Sequence, residues 1–360
     1  MAAGTAMVLA LALLAAPGAQ AARSEFYGIT QPRALSVPDL YGIAGAKVHS
    51  DRFPLQWSHV EPSMSSALRW SDYDLLIGEL AAAGIRSAPF VWGSPGWAGT
   101  GGWSRPPDSS PSRAAWEAFL KAAVARYGRG GSFWGTPYHR RFGPQATALP
   151  ITSWQIWNEP NLKYAYPATT YTQKAARYGQ LVKLSHDAIT AKDSKARVVL
   201  AGITTQKDPH AFDFLSSLYS VRHIKDNFSA AAQHPYASSN ALIKTAIERF
   251  RSVMANHGDE ATPLWITEFA WGSHPPDSAG VNRGLNGQAT ALTNSYKMLL
   301  ANRTAWNLQR VYWFLWRDPP GAPYSPDGCS FCSSAGLVRS DGTSKPALSA
   351  FKSFTRNPPP

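Results

Sequence analysis

The chain has 360 residues, 44% of them hydrophobic and 16% charged. That is enough apolar material for a sizeable core, and it excludes a disordered polymer or a long coiled coil as the main architecture. The formal charge of +12 raises the question of an anionic partner, but the Lys and Arg are scattered and the densest run, His139-Arg140-Arg141, is too short for a nucleic-acid-binding arm.

No nucleic acid is therefore expected. A solvated basic surface, or work on acidic polysaccharides, accounts for the charge. From Ala6 to Ala16 the chain is small and apolar, and Ala19-Gln20-Ala21 follows the small-residue pattern of a signal-peptidase site, although no Lys or Arg precedes the run. The run is too short to span a bilayer. The expectation is a signal peptide over 1–21, a secreted product and no stable membrane insertion.

Beyond it, apolar and β-branched runs predict strands at Glu25–Ile29, Lys47–Phe53, Arg86–Trp92, 151–158, Arg197–Ile203, Phe228–Gln233, 263–268 and Arg310–Trp316. Helical periodicity predicts Tyr73–Ala83, with Ser71 or Asp72 as N-cap and Gly84 past its end, then Arg113–Tyr127 and Thr172–Ala191. Further helices are expected at Ala211–Tyr219, Asn240–Asn256, Gly287–Ala301 and Pro346–Phe354. Strands that alternate with helices in this number predict an α/β fold with a closed parallel sheet, a (β/α)8 TIM barrel, as a single domain over 22–360. The long connections fall on the carboxyl side of the strands, where such folds build their clefts.

One strand end stands out. Apolar and aromatic residues from Ile151 run into Trp157-Asn158-Glu159-Pro160-Asn161, where proline stops the strand and is expected to hold Glu159 extended. A lone glutamate there either caps a loop or pairs with an arginine, or else serves as a proton carrier. A second strand, Leu264-Trp265-Ile266-Thr267, ends in the same way at Glu268. Two carboxyl groups facing one another across a barrel mouth are what glycoside hydrolysis requires: one protonates the leaving oxygen and the other attacks the anomeric carbon. The first must keep its proton while the second is ionised.

The string at 157–161 resembles the acid/base segment of the large clan of retaining (β/α)8 glycoside hydrolases, which includes cellulase-like, β-xylosidase-like and iduronidase-like families. The resemblance implies Glu159 as acid/base, Asn158 as a partner of the sugar 2-hydroxyl, and Glu268, at the end of strand seven, as nucleophile. It also implies Tyr236 as a donor to the nucleophile, Arg52 near it, and Trp316 as the aromatic platform under the sugar. His234 is either part of that site or a satisfied core histidine. Trp92 stands where several families of the clan carry His, and is read as a cleft wall.

The substrate implied is a polysaccharide or oligosaccharide, with no cofactor, no metal and a monomeric enzyme. A transglycosylase differs only in the acceptor, and a non-catalytic carbohydrate-binding barrel is the alternative of another class. Cys329 and Cys332 stand without other metal ligands nearby, and in an exported chain a small disulfide is expected of them rather than a redox pair.

Overall fold

The structure is a computed structural model and describes residues 24–33, 35–64, 66–167, 169–206, 208–321 and 329–359. The expected signal peptide lies outside the described residues. Ten strand segments form eight barrel strands. These are β1 (Tyr27–Thr30), β2 (Ser50–Arg52 continued by Pro54–Gln56), β3 (Arg86–Ser87 continued by Phe90–Trp92), β4 (Ser153–Ile156), β5 (Arg197–Thr204), β6 (Ala230–His234), β7 (Leu264–Phe269) and β8 (Leu308–Phe314). Every pairing is parallel, and β8 pairs with β1 in the register Tyr27 to Val311, so the ring of eight closes.

Two strands are interrupted for a local reason. Pro54 and Pro89 carry no N–H, and each sits at or beside a break in its strand. Pairing of β2 with β3 resumes beyond both breaks, from Pro54 opposite Phe90 to Gln56 opposite Trp92.

Each strand is followed by a helix: α1 (Val37–Gly45), α2 (Ser71–Ala82), α3 (Ser110–Tyr127), α4 (Tyr171–Thr190), α5 (Ala211–Tyr219), α6 (Asn240–Asn256), α7 (Gly284–Ala301) and α8 (Pro346–Thr355). The first of these was not expected from the periodicity. It is short, and it starts with a capping box in which the Ser36 hydroxyl accepts from the Asp39 N–H while the Asp39 carboxylate accepts from Ser36. The N-cap of α2 is Trp70, with no side-chain bond, rather than Ser71 or Asp72.

The core has two parts. Outside the sheet, Trp57, Trp116 and Trp157 stack edge to face against the helices, all fully buried. Inside the barrel Ala88, Val199, Ala230, Ala232, Trp265 and Tyr312 form a separate cluster. Gly28 of β1 is required here, because a β-carbon on it would lie 2.3 Å from the Tyr312 ring. Below this layer Glu25 pairs with Arg86 and Arg310, whose guanidinium lies 4.2 Å over the Trp265 ring. The bottom of the barrel is thus closed, and open chemistry is confined to the carboxyl ends of the strands.

Candidate active site

Arg52, at the end of the first segment of β2, organises the mouth. It is 1% exposed and lies 4.1 Å over the Phe90 ring. Its three nitrogens have three different partners. Nε donates to Gln155 Oε1 at 2.6 Å, Nη1 to Glu268 Oε1 at 2.7 Å, and Nη2 to Asn158 Oδ1 at 2.8 Å. One fixed guanidinium fork therefore ties β2 to the ends of β4 and β7.

The Gln155 amide follows from this, since its oxygen must face the arginine, which only donates. Its Nε2 then donates to Leu200 O at 2.9 Å and to Thr267 Oγ1 at 3.3 Å. His234 Nε2 lies 3.0 Å from the same Thr267 Oγ1, and His234 Nδ1 lies 2.9 Å from Glu159 Oε1. In neutral His234, every atom is satisfied when the Thr267 hydroxyl donates to Nε2 and Nδ1–H donates to Glu159. His234 is fully buried, and it spans both carboxylates, with Nδ1 3.7 Å from Glu268 Oε2. The structure brings this histidine between the two carboxylates, within hydrogen-bonding distance of Glu159.

Glu268 accepts from Tyr236 through Oε2 at 3.1 Å as well as from Arg52. Burial alone would push its carboxyl up. The charges of His234, when protonated, and of Arg52, with hydrogen bonds from Arg52 and Tyr236, outweigh burial and hold it below the usual carboxylate range. Burial and the neighbouring Glu268 and Glu159 push the Tyr236 phenol well above its usual value, so it remains a donor. Phe331 packs its ring on Tyr236, centroids 4.9 Å apart. It belongs to the four-residue loop closed by the Cys329–Cys332 disulfide.

Glu159 sits differently. Proline was expected to hold it extended, but its φ is +43°, and that of Trp157 is +69°. The chain leaves β4 through a tight turn in which Leu162 N–H donates to Glu159 O at 3.1 Å. Left-handed backbone in a non-glycine residue is strained and persists where its surroundings over-determine it. Tyr164 donates to Glu159 Oε2 at 3.4 Å and to Asn158 O at 3.3 Å, which holds the turn from the other side.

Trp316 is a correction. It is 2% exposed, its indole N–H donates to Asp39 Oδ1 at 3.0 Å, and its ring fills the space beside Gly42 of α1. It packs between sheet and helix and offers no open face to a sugar. Phe314, two residues beyond Tyr312 and so on the same inner face of β8, is the β8 ring nearest the mouth. Trp92 ends β3 as expected, half-buried, with Trp103 edge-on to it at 4.6 Å. Trp103 is 56% exposed and was not anticipated, nor were Gln155, Thr267 and Tyr164.

One donor atom from each of Glu159, His234 and Glu268 lies within 4.8 Å of the other two. The three have the donor types of a cation site, but the permanent positive charge of Arg52 on Glu268 Oε1 opposes a second cation on the same carboxylate. Among the described residues no helix is long and apolar enough to cross a membrane.

Known proteins share this fold. The chain is similar in fold to a family 39 glycoside hydrolase from Bacteroides cellulosilyticus WH2, with a TM-score of 0.62 and 20% identity over 92% of this chain and 63% of that one. It is similar to a monomeric β-xylosidase from Caulobacter crescentus CB15, with a TM-score of 0.61 and 19% identity over 92% and 67%. It is also similar to an exo-β-1,4-mannosidase from Opitutaceae bacterium strain TAV5, with a TM-score of 0.64 and 16% identity over 94% and 60%. At such identities the likeness is one of fold, and the chain spans less than two thirds of the length of the first and the last. No curated protein matches. The sequence model of the glycosyl hydrolase catalytic core matches residues 132–347, more than half of the chain and a range that includes both glutamates; the chain belongs to that family.

Proposed function

We propose that this protein is a secreted, monomeric retaining glycoside hydrolase in which Glu268 is the nucleophile and Glu159 the acid/base. The observation that carries the reading is the approach of the two carboxylates. Their donor atoms lie within 4.8 Å, whereas retaining enzymes hold their carboxyl groups ~5–5.5 Å apart and inverting enzymes need ~6.5–9.5 Å to admit a water. Their surroundings also differ in the sense the chemistry needs, because Arg52 and Tyr236 bind Glu268 and favour its ionised form.

In the first step Glu268 Oε attacks the anomeric carbon while Glu159 passes its proton to the departing oxygen. In the second, Glu159 takes a proton from water, which attacks the same carbon and releases Glu268. Asn158, whose amide oxygen is engaged by Arg52, turns its NH2 toward the sugar 2-hydroxyl. Trp92 and Trp103 form an aromatic wall along one side.

The test is product analysis by mass spectrometry with wild type and Glu268→Gln on a panel of cell-wall polysaccharides. Products from wild type alone support the reading, and chain-lengthened products would indicate transfer to sugar. Glu268→Ala should regain partial activity with azide, giving a glycosyl azide of inverted configuration. An unaltered rate in either variant would remove Glu268 from its role, and sugar binding without products from either protein would favour the non-catalytic alternative. N-terminal sequencing of the exported protein tests cleavage after Ala21.

A further inference from the structure

Two side chains hydrogen-bond Glu268 from opposite sides, and they are held in different ways. Arg52 ends a segment of β2, whereas Tyr236 lies two residues past the end of β6. The strand ladder therefore fixes the first and not the second. What aims the Tyr236 hydroxyl is the packing on its ring. Two rings meet it. His234 stands edge-on at 6.3 Å between centroids and is already engaged by Glu159 and Thr267. Phe331 is closer, at 4.9 Å, and only 5% exposed.

Phe331 comes from the connection between β8 and α8, on the short loop that the Cys329–Cys332 bond closes. The surroundings press this loop onto the chain just past the nucleophile strand. Gly272 lies four residues beyond Glu268, and a β-carbon on it would stand 2.9 Å from Phe331 Cβ, 2.8 Å from Ser334 Oγ and 1.9 Å from Asn282 Oδ1. The missing side chain at 272 is what admits the loop. Ser334, two residues past Cys332, donates to Asn282 Oδ1 at 3.2 Å. Its carbonyl accepts from Ser273 N–H at 3.0 Å, from Gln288 Nε2 at 3.2 Å and from Lys345 Nζ at 2.9 Å. Lys345 is buried and paired with Asp318 at 2.6 Å. One end of the loop is thus anchored in the core, and the disulfide ties the other end to it.

We propose that Phe331 is a positioning residue for the reaction, holding the Tyr236 hydroxyl on Glu268, and that the Cys329–Cys332 bond keeps it in place. A bridge that closes so short a loop restricts the unfolded chain less than a long-range one does, so its effect is local. The proposal rests on the glycosidase reading above, which makes Glu268 the nucleophile.

The experiment compares Phe331→Ala in the wild-type and Tyr236→Phe backgrounds, with kcat, KM and melting temperature measured for each on a glycoside that the wild type cleaves. The expected result in the wild-type background is a kcat lower by about tenfold at unchanged KM. The acid limb of kcat/KM should also move to higher pH, because a hydrogen bond that favours ionised Glu268 is weakened while Arg52, His234 and Glu159 still face it. With Tyr236→Phe there is no hydroxyl left to aim, and the same change should cost less than about twofold. Cys329→Ser combined with Cys332→Ser leaves both rings in place and should lower kcat under the same condition, so it decides the matter if Phe331→Ala does not fold. An unchanged kcat, or an equal loss in the two backgrounds, would overturn the proposal. Failure of the glycosidase reading is a different result: cleavage that does not depend on Glu268 would remove that reading and this proposal with it.

Discussion

Gly202 of β5 faces the buried side of His234, and replacing it by alanine tests how tightly that histidine is held. A β-carbon at this position would lie 1.9 Å from His234 Nε2, 2.2 Å from Cδ2 and 2.6 Å from Cε1. Heavy atoms of this kind rest at about 3.5 Å, so the ring would have to retreat by roughly 1.5 Å. It has nowhere easy to go, being fully buried with Nε2 on Thr267 and Nδ1 on Glu159. Overpacking of a filled core typically costs about 1–3 kcal/mol, and misplacing a catalytic geometry by about 1 Å can cost on the order of a hundredfold in rate. The expected outcome for Gly202→Ala is a lower melting temperature and a kcat reduced by about that factor, measured on whichever glycoside the wild type cleaves. The decisive comparison is the same change in a His234→Ala background. There the new methyl meets no ring, so its stability cost should disappear, and the double-mutant cycle should show a large coupling. Wild-type melting and turnover in Gly202→Ala, or an equal cost in both backgrounds, would refute the reasoning.

Three further outcomes follow from the same contacts. In Arg52→Met the burial of Glu268 remains while one charge and one hydrogen bond that, beside His234, lower its pKa are gone, so on the proposed mechanism the acid limb of kcat/KM against pH moves to higher pH; an unmoved limb would dissociate Arg52 from the titration of Glu268. Thr267→Val removes the hydroxyl that fixes the His234 tautomer, and kcat should fall about ten- to a hundredfold, the worth of a hydrogen bond of ~1.5–3 kcal/mol, with the fold intact by circular dichroism. Asp51 is buried without a partner for either carboxylate oxygen, and burial raises its pKa well above the usual value. A raised carboxyl contributes stability below its unfolded pKa that is lost as pH rises through the folded value. Urea unfolding should therefore show Asp51→Leu gaining on wild type between pH 4 and pH 8, with equal profiles counting against an unpaired carboxyl there.

The barrel was legible because eight buried strands and the helices between them repeat one pattern, and Ala211–Tyr219 and Asn240–Asn256 fall where the periodicity placed them. What escaped was set by single residues. Helix α1 has few turns and little periodicity, yet Ser36 and Asp39 three residues on make a capping box that could have been read. The breaks in β2 and β3 were likewise written in Pro54 and Pro89. Proline before Asn161 misled in the opposite direction at Glu159. Its local preference for an extended neighbour was overridden by the turn that Leu162 N–H and the Tyr164 hydroxyl hold closed.

At the site, sequence identifies the residues that carry charge and misses those that aim them. Glu159, Glu268, Arg52, His234 and Tyr236 come together because strand ends in a closed parallel barrel all point to one face, so that titratable residues at strand ends are brought near one another. Whether such a residue meets its partner depends on contacts between distant strands. Arg52 reaches Glu268 across 216 positions of sequence, and it does so through a fork whose other arms are set by Gln155 and Asn158. Trp316 shows the same limit from the other side. An aromatic residue at the end of β8 suits a sugar platform by position, but a glycine in α1 and the carboxylate of Asp39 draw it into the helix layer. Gly202 was the one indirect signal available, because a glycine inside a buried strand marks the close approach of another group. Here that group is the imidazole that spans both carboxylates, so the space left by a missing side chain is as much a part of the site as the charges it admits.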